Sequence, residues 1–411
     1  TKKAAGEMRE RLDEWLKKFT TADDETLRQE LIMRGIASPS PELRHQLAGL
    51  YRAMLAGGRA VQIRTFHSWF GALLRSAPVA VLHRMNLPMN YELLEDDSPA
   101  RALVWRRFYA AIIKDASLKE DFETLVHTHG RFQIDKALHA ALDKRTEFLL
   151  ADAQGVVDNS VQPFDVAFPE FAGRNVPEDS LAHGSANEAL LWSAAKALGQ
   201  ASAPTFSAKG VELEQGLSTQ NWPIIFNALL TDKGTPRKFG EKIIGIACIR
   251  EVQDWVLRVQ AASAQHAAWQ HQQRMARLSR VLIAEFTQLK KERGWVDMND
   301  VERAALVMLG DPVLAGWVQE RLDARIKHLM IDEFQDTNPL QWQALSAWLS
   351  GYGGAGAAPS VFLVGDPKQS IYRFRRAEPQ VFRAAQAFVV EGLGGDLLSC
   401  DHTRRNAQAV I

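Results

Sequence analysis

The chain has 411 residues, 46% hydrophobic and 24% charged, which excludes an intrinsically disordered or fibrous protein and, at about 150 residues per domain, suggests two or three domains. Its 49 basic residues balance 49 acidic ones, so a nucleic-acid surface, if present, must be local. Two cysteines, Cys248 and Cys400, argue against a disulfide framework or a cysteine-rich zinc module and favour a reducing, cytoplasmic interior, and no apolar run approaches the roughly 20 residues of a membrane span.

The first predicted elements are helical. Residues 1–19 carry apolar side chains at spacings of three and four, which is typical of an amphipathic helix. The chain begins inside this helix without a methionine or a capping residue, so we expect a segment upstream. Residues 61–65 (VQIRT) predict a short strand, and a helical segment follows it.

The middle of the chain is predicted to be mainly helical. Residues 92–150 have a helical pattern with polar faces, whereas residues 151–240 carry scattered Gly, Pro, Asn and Asp and predict loops with short helices. Residues 249–293 are helical in pattern over a length unusual for a globular protein. We therefore expect two helices in series there.

The most informative stretch predicts a strand–helix–strand unit. An apolar strand (326–332) ends in acids, a helix begins at Pro339, a Gly/Ala loop (351–359) follows, and a second apolar strand (360–366) also ends in an acid. Two strands that are apolar throughout predict a parallel pair buried on both faces. Ligands of such α/β sheets lie beyond the carboxyl ends of the strands, so we expect both acidic ends to share one site.

The first candidate motif is IDEFQDTN, residues 331–338. A strand that delivers Asp332 and Glu333 to its end suits magnesium–nucleotide hydrolysis, because one carboxylate can hold Mg²⁺ and the next can deprotonate the attacking water. The alternative interpretation is a solvated acidic loop, since Asp–Glu pairs are common in proteins.

The second candidate motif is VGDPKQSIYRFRRAEP, residues 364–379. Asp366 at the strand end precedes Lys368 and Gln369, which are able to meet a phosphate. Aromatic side chains offer stacking surfaces for bases and arginines bind phosphates, and the two kinds alternate here as Tyr372, Arg373, Phe374, Arg375 and Arg376. The alternative interpretation is an amphipathic turn with buried aromatic side chains.

Together these two segments resemble motifs II and III of the superfamily 1 helicases of the UvrD/Rep type. Other segments resemble further motifs of that family in the same order: motif Ia at 1–12, motif Ib at 64–70 (RTFHSWF), the G-x-x-D-F-x-D-L element at 294–306 and motif IV at 397–411. The wording FRRAEPQVF and the long insertion after motif Ib are most similar to the RecB/AddA branch, the motor subunits of helicase–nucleases.

The resemblance implies an α/β fold, namely a RecA-like parallel-sheet motor domain of the P-loop NTPase type with a large, mainly helical insertion. It divides the chain into the first part of domain 1A (1–91), insertion domain 1B (92–265), the second part of 1A (266–390) and the start of motor lobe 2A (391–411).

The resemblance also implies roles for individual residues. Asp332 is expected to be the carboxylate on the Mg²⁺ side, Glu333 the catalytic base and Gln369 the sensor of the γ-phosphate. Arg405 is expected to approach the γ-phosphate, with Arg404 as its rival, because DHTRRN departs from the usual motif IV. Contacts to single-stranded DNA are implied for Thr1, Thr65, His67, Tyr372, Phe374 and Arg375.

One family motif has no counterpart in the sequence. There is no G-x-x-x-x-G-K-[ST], and GTPRKFGEK at 234–242 has the wrong spacing and lacks the lysine. We therefore expect an internal fragment, inactive alone, of an enzyme that uses ATP and Mg²⁺ to move 3′→5′ on single-stranded DNA in recombinational repair or DNA-end processing, with a helicase–nuclease subunit as a possible partner. The alternative is a non-catalytic DNA-binding or scaffold module.

Overall fold

The computed structural model describes residues 2–58, 61–311, 313–314, 316, 318, 326–352, 359–369 and 378–399, and the structural statements below concern these residues. Within them the chain is mostly helical, with two small parallel sheets. No helix of this described part combines the length and the hydropathy needed to cross a membrane.

The helices, in chain order, are α1 (Lys2–Thr21), α2 (Asp24–Met33), α3 (Pro41–Ala56), α4 (Phe66–Arg75), α5 (Val79–Arg84), α6 (Ser98–Lys114), α7 (Ala116–His129), α8 (Arg131–Asp143), α9 (Arg145–Ala153), α10 (Phe164–Ala167), α11 (Glu188–Gly199), α12 (Pro204–Ser218), α13 (Trp222–Leu229), α14 (Ile246–Arg293), α15 (Met298–Gly310), α16 (Pro339–Ser350) and α17 (Pro379–Ala387). The strands are β1 (Glu92–Leu94), β2 (Trp295–Asp297), β3 (His328–Ile331) and β4 (Ser360–Leu363). Short 3₁₀ or π turns are Pro169–Phe171, Pro177–Leu181, Phe334–Asp336, Pro367–Gln369 and Phe388–Gly392.

The chain divides into two compact units, Thr1–Asp97 with Lys290–Ile411, and Ser98–Leu289. A core in the first unit joins α4, α5, α15 and α16 to one face of β3 and β4. A core in the second unit gathers buried side chains between Phe164 and Ala262. The expected domain boundaries, at 91/92 and 265/266, differ from these divisions, and the domain names stay a prediction.

The predicted strand–helix–strand unit forms as expected in its pairing. Strands β3 and β4 are parallel, with His328 opposite Ser360 and Ile331 opposite Leu363. The expectation that both faces are buried is wrong. Because side chains alternate along a strand, every second residue packs on the core, and the others stay outside it, including Met330, which is 74% exposed.

The segment 61–65 is not a strand, contrary to the expectation. Its backbone is irregular and mostly exposed, with Val61 54% exposed. The carbonyl oxygen of Ile63 accepts from the Arg9 guanidinium at 3.2 Å. The alternation of side chains in VQIRT is therefore not accompanied by a paired, half-buried surface, which a strand requires.

Helix α14 is a single helix of 48 residues, so the expectation of two helices in series is wrong. Buried side chains occur along its length, from Ile249 and Val256 to Leu282 and Phe286. Tertiary packing of this kind stabilises a helix well beyond the average length. The helix ends at Gly294, whose φ of +67° is the left-handed conformation that glycine adopts most easily.

Candidate functional site

The acidic pair lies at the carboxyl end of β3. Asp332 and Glu333 follow the last strand residue directly, and both are exposed. The Asp332 carboxylate accepts from the Glu333 backbone N–H at 3.0 Å. Glu333 has φ 52° and ψ 41°, a left-handed conformation that costs a non-glycine residue about 1–3 kcal/mol. Strain of this kind is concentrated at functional sites, so the loop is a candidate site on backbone geometry as well as on chemistry.

A buried glutamine connects the two strand ends. Gln335 is 3% exposed, and its side-chain Nε2 donates to Glu333 Oε2 at 2.6 Å. Its Oε1 accepts from the backbone N–H of Asp366 at 3.1 Å. The amide therefore fixes the Glu333 carboxylate relative to the loop that follows β4.

Gln369 lies at the same edge of the sheet. Its Nε2 donates to Asp366 Oδ2 at 3.0 Å, and its backbone N–H donates to the Asp366 carbonyl at 2.9 Å. A continuous series of hydrogen bonds thus runs from Glu333 through Gln335 and Asp366 to Gln369. The structure brings together Glu333 and Gln369, as expected from the two parallel strands, and leaves their chemical roles as predictions.

The close approach of the two loops depends on Gly365. A Cβ atom at this position would lie 2.6 Å from Gln335 Oε1, 2.8 Å from Phe382 Cε2 and 3.1 Å from the Gln335 backbone nitrogen. These distances are shorter than side-chain atoms tolerate. Only a residue without a side chain fits between the β4 end and Gln335.

A third carboxylate lies beside the acidic pair. Asp336 Oδ1 is buried and has no hydrogen-bond partner among the residues that the structure describes. Burial, and then the charge of Glu333, raise the pKa of Asp336. The site therefore holds one carboxyl group that resists ionisation beside another that is exposed.

Helix α4 positions the two residues predicted near motif Ib. Thr65 is the N-cap, and its hydroxyl accepts from the Ser68 backbone N–H at 3.2 Å. His67 lies in the first turn and its side chain is 40% exposed. Its Nε2 is 3.1 Å from Oε1 of the buried Glu302. Both residues remain partly accessible, which a DNA contact requires.

Several predicted site residues lie outside the described residues. These are Thr1, Tyr372, Phe374, Arg375 and Arg405, together with the rival Arg404. Their expected contacts to DNA or to the γ-phosphate stay predictions from the sequence.

Three residues that organise the site are not among those predicted from the sequence. Gln335 and Gly365 stand inside the two motifs, where the charged residues around them carry the stronger chemical signal. Glu302 lies in the segment 294–306, where the only sequence signal is a charged residue within an apolar helical pattern. A buried charge needs a partner, and that rule could have identified Glu302.

The donor chemistry of this edge fits a magnesium–nucleotide complex. Protein sites of this kind hold Mg²⁺ through one or two carboxylates together with phosphate oxygens. Asp332 and Glu333 supply exposed carboxylates. In the described part of the chain, no group of three or more His, Cys, Asp or Glu side chains is arranged to hold a metal ion. The remaining ligands would thus have to come from the nucleotide and water.

Comparison with known proteins gives relatives that share one name, that of the AddA subunit of an ATP-dependent helicase/nuclease. The protein of Listeria monocytogenes serotype 4a (strain HCC23) is 37% identical over 126 residues, 30% of this chain and 10% of that protein. The Clostridium novyi (strain NT) protein is 36% identical over 115 residues, 27% of this chain and 9% of that protein. The Staphylococcus aureus (strain JH9) protein is 34% identical over 125 residues, 29% and 10% respectively.

The matched segment spans about a tenth of the length of these relatives. Their shared name agrees with the similarity to the RecB/AddA branch that the motifs indicate. Residues 1–389 match the family described as the UvrD/REP helicase N-terminal domain. This match confirms the helicase resemblance, and the chain therefore belongs to the UvrD/REP helicase N-terminal domain family.

Proposed function

We propose that this chain is the part of an ATP-dependent DNA helicase that carries the acidic strand end and the coupling glutamine. The observation that supports it best is the series of hydrogen bonds that joins Glu333 to Gln369 through Gln335 and Asp366. A base and a phosphate sensor must act on the same phosphate, and this series keeps the two side chains at one edge.

The chemistry follows from the positions of the side chains. Asp332 is the carboxylate on the metal side, and Glu333 accepts the proton of the attacking water. Because Gln335 donates to Oε2 of Glu333, that carboxylate is held in one orientation and its Oε1 can take the proton. Mg²⁺–ATP, when bound, supplies the phosphoryl group and the cation that offsets its charge.

Gln369 transmits the state of the nucleotide in this proposal. It is exposed, and its amide contacts Asp366 at the end of β4. Residues 370–377, which follow it directly in sequence, contain Tyr372, Phe374 and Arg375. We assign these residues to stacking on, and phosphate contact with, single-stranded DNA, together with Thr65 and His67 on α4.

The finer features of the activity rest on the family resemblance. The proposed fold of the first compact unit is RecA-like, the substrate is single-stranded DNA reached from DNA ends, and movement is 3′→5′. The context is recombinational repair or end processing with a partner subunit. Hydrolysis is assigned to the complete protein, because this sequence holds no phosphate-loop motif.

A non-catalytic scaffold is the competing hypothesis. A scaffold has no physical need for a strained Glu333 or for a buried amide that fixes its carboxylate. Both features are present, so the enzymatic function is favoured.

The test is ATP hydrolysis by the complete gene product, measured with and without oligo-dT, combined with translocation on single strands that carry a block at either end. We expect hydrolysis that DNA stimulates and movement toward the 5′ end. DNA binding without any hydrolysis would support the scaffold instead.

A further inference from the structure

Three hydrogen-bond donors converge on one oxygen of Glu302. Oε1 lies 2.8 Å from Asn338 Nδ2, 2.8 Å from Gln341 Nε2 and 3.1 Å from His67 Nε2. Glu302 is 2% exposed. A carboxylate so deeply buried is costly unless it is paired and hydrogen-bonded, and these three contacts offset that cost.

The two amides connect Glu302 to the acidic loop. Asn338 is the N-cap of α16, and its side chain and that of Gln341 form a capping box at the first turn. Asn338 directly follows Thr337, the last residue of the loop that begins at Asp332. Glu302 therefore fixes the point where the acidic loop enters its helix.

The histidine connects Glu302 to the proposed DNA surface. His67 Nε2 must carry a hydrogen to donate to the Glu302 carboxylate, so the other ring nitrogen, Nδ1, is left to meet a nucleotide. The contact also limits rotation of the ring. Of these three donors to Oε1, His67 is the one that can carry a charge, and the only one whose contact calls for a carboxylate rather than a neutral acceptor.

We propose that Glu302 is a positioning residue, which holds His67 in the orientation that binds single-stranded DNA and ties that orientation to the acidic loop. This inference rests on the proposed function. It assigns a role in DNA-dependent activation to a residue remote from the two motifs that carry the chemistry. Glu302 itself touches neither nucleotide nor DNA in this account.

Glu302→Gln separates the two halves of the role. The amide oxygen of glutamine still accepts from Asn338 and Gln341, but the charge that His67 contacts is gone. In the complete protein we expect the oligo-dT concentration for half-maximal ATPase to rise about tenfold, with kcat at saturating DNA within about twofold of wild type. Glu302→Ala, which removes the acceptor as well, is expected to lower kcat too.

A double-mutant cycle tests whether the effect passes through His67. The Kd for fluorescein-labelled oligo-dT is measured for wild type, Glu302→Gln, His67→Ala and the double variant. We expect the double variant to bind within about twofold of His67→Ala, because coupled residues are not additive. Losses that multiply, or wild-type affinity in Glu302→Gln, would overturn the proposal.

Two further variants keep the test decisive. Glu30→Gln is the matched control, since Glu30 is also buried and is ion-paired with Lys18 and Arg34 but contacts neither His67 nor the acidic loop; it should leave oligo-dT binding unchanged. If Glu302→Gln fails to fold, His67→Phe keeps the ring without its N–H and should weaken binding about tenfold. Wild-type affinity in that variant would also overturn the proposal.

Failure of the proposed function has a different signature. If the wild-type protein neither binds oligo-dT nor hydrolyses ATP, the helicase assignment is wrong. If the wild type is active and Glu302→Gln behaves like it, only the role of Glu302 is wrong.

Discussion

Gln335 shows how one uncharged side chain can organise a charged site. Its amide nitrogen holds the Glu333 carboxylate, and its amide oxygen accepts from the backbone after β4. The composition of the motif indicates the acids but not this link. A glutamine in a polar loop is usually solvated, and only the fold shows that it is buried.

Replacing Gln335 with alanine is expected to slow ATP turnover. The Glu333 carboxylate would lose a hydrogen bond worth about 1.5–3 kcal/mol for a charged acceptor, and its orientation with it. We predict a fall in kcat of about 10- to 100-fold in the complete protein, with an unchanged melting temperature as the control for folding. A variant with wild-type kcat would show that Glu333 does not need this contact.

Replacing Gly365 with alanine is expected to destabilise the first compact unit. The added methyl group meets Gln335 and Phe382 at distances below 3.0 Å, and overpacking of this kind costs about 1–3 kcal/mol. Denaturant unfolding measures the loss. Gly49→Ala is the control, because a Cβ on Gly49 in α3 meets nothing within 4 Å and should be neutral or stabilising. Equal stability of both variants would contradict the packing described here.

At the scale of elements, local chemistry in the sequence predicts much of what forms. The Asn338-Pro339 start of α16 and the parallel pair β3–β4 were predictable, because capping and apolar runs are local signals. The strand expected at 61–65 and the break expected within α14 were wrong. Both depend on whether a distant surface covers the segment, which periodicity does not report.

The junction between α14 and α15 is held by a buried cation. Lys290, 4% exposed, contacts Asp297 at 2.6 Å and also Asp300, and these two acids form the capping box of α15. Lys290→Met would leave two buried carboxylates without this cation. We predict a loss of about 3–5 kcal/mol in the free energy of unfolding, measured by denaturant titration.

The pH dependence of that loss has a definite sign. Burial, and then Asp297, raise the pKa of Asp300 above its usual 3.8. A raised carboxyl pKa stabilises the fold fully below the ordinary value, and the contribution is lost as the pH rises through the raised value. The deficit of Lys290→Met should therefore narrow as the pH falls toward about 4. Lys291→Met, at an exposed lysine bonded to Asn86, should change stability by less than about 0.5 kcal/mol at any pH.

At the scale of the whole molecule, the sequence predicts the family better than the arrangement. Ordered motifs point to a helicase, and the match over residues 1–389 confirms it. The positions of the unit boundaries, the strained Glu333 and the Glu302 contacts follow from packing between segments far apart in sequence. No local pattern carries that information.

The central claim is that Glu333 is the base at a nucleotide site built on the ends of β3 and β4. The measurement that tests it most directly is kcat for ATP hydrolysis, together with the nucleotide Kd, for Glu333→Gln in the complete protein, with exposed Glu391→Gln as control. We predict that turnover falls by about 10²- to 10⁴-fold while nucleotide binding and the control stay unchanged. Turnover within a few-fold of wild type in Glu333→Gln would contradict the account.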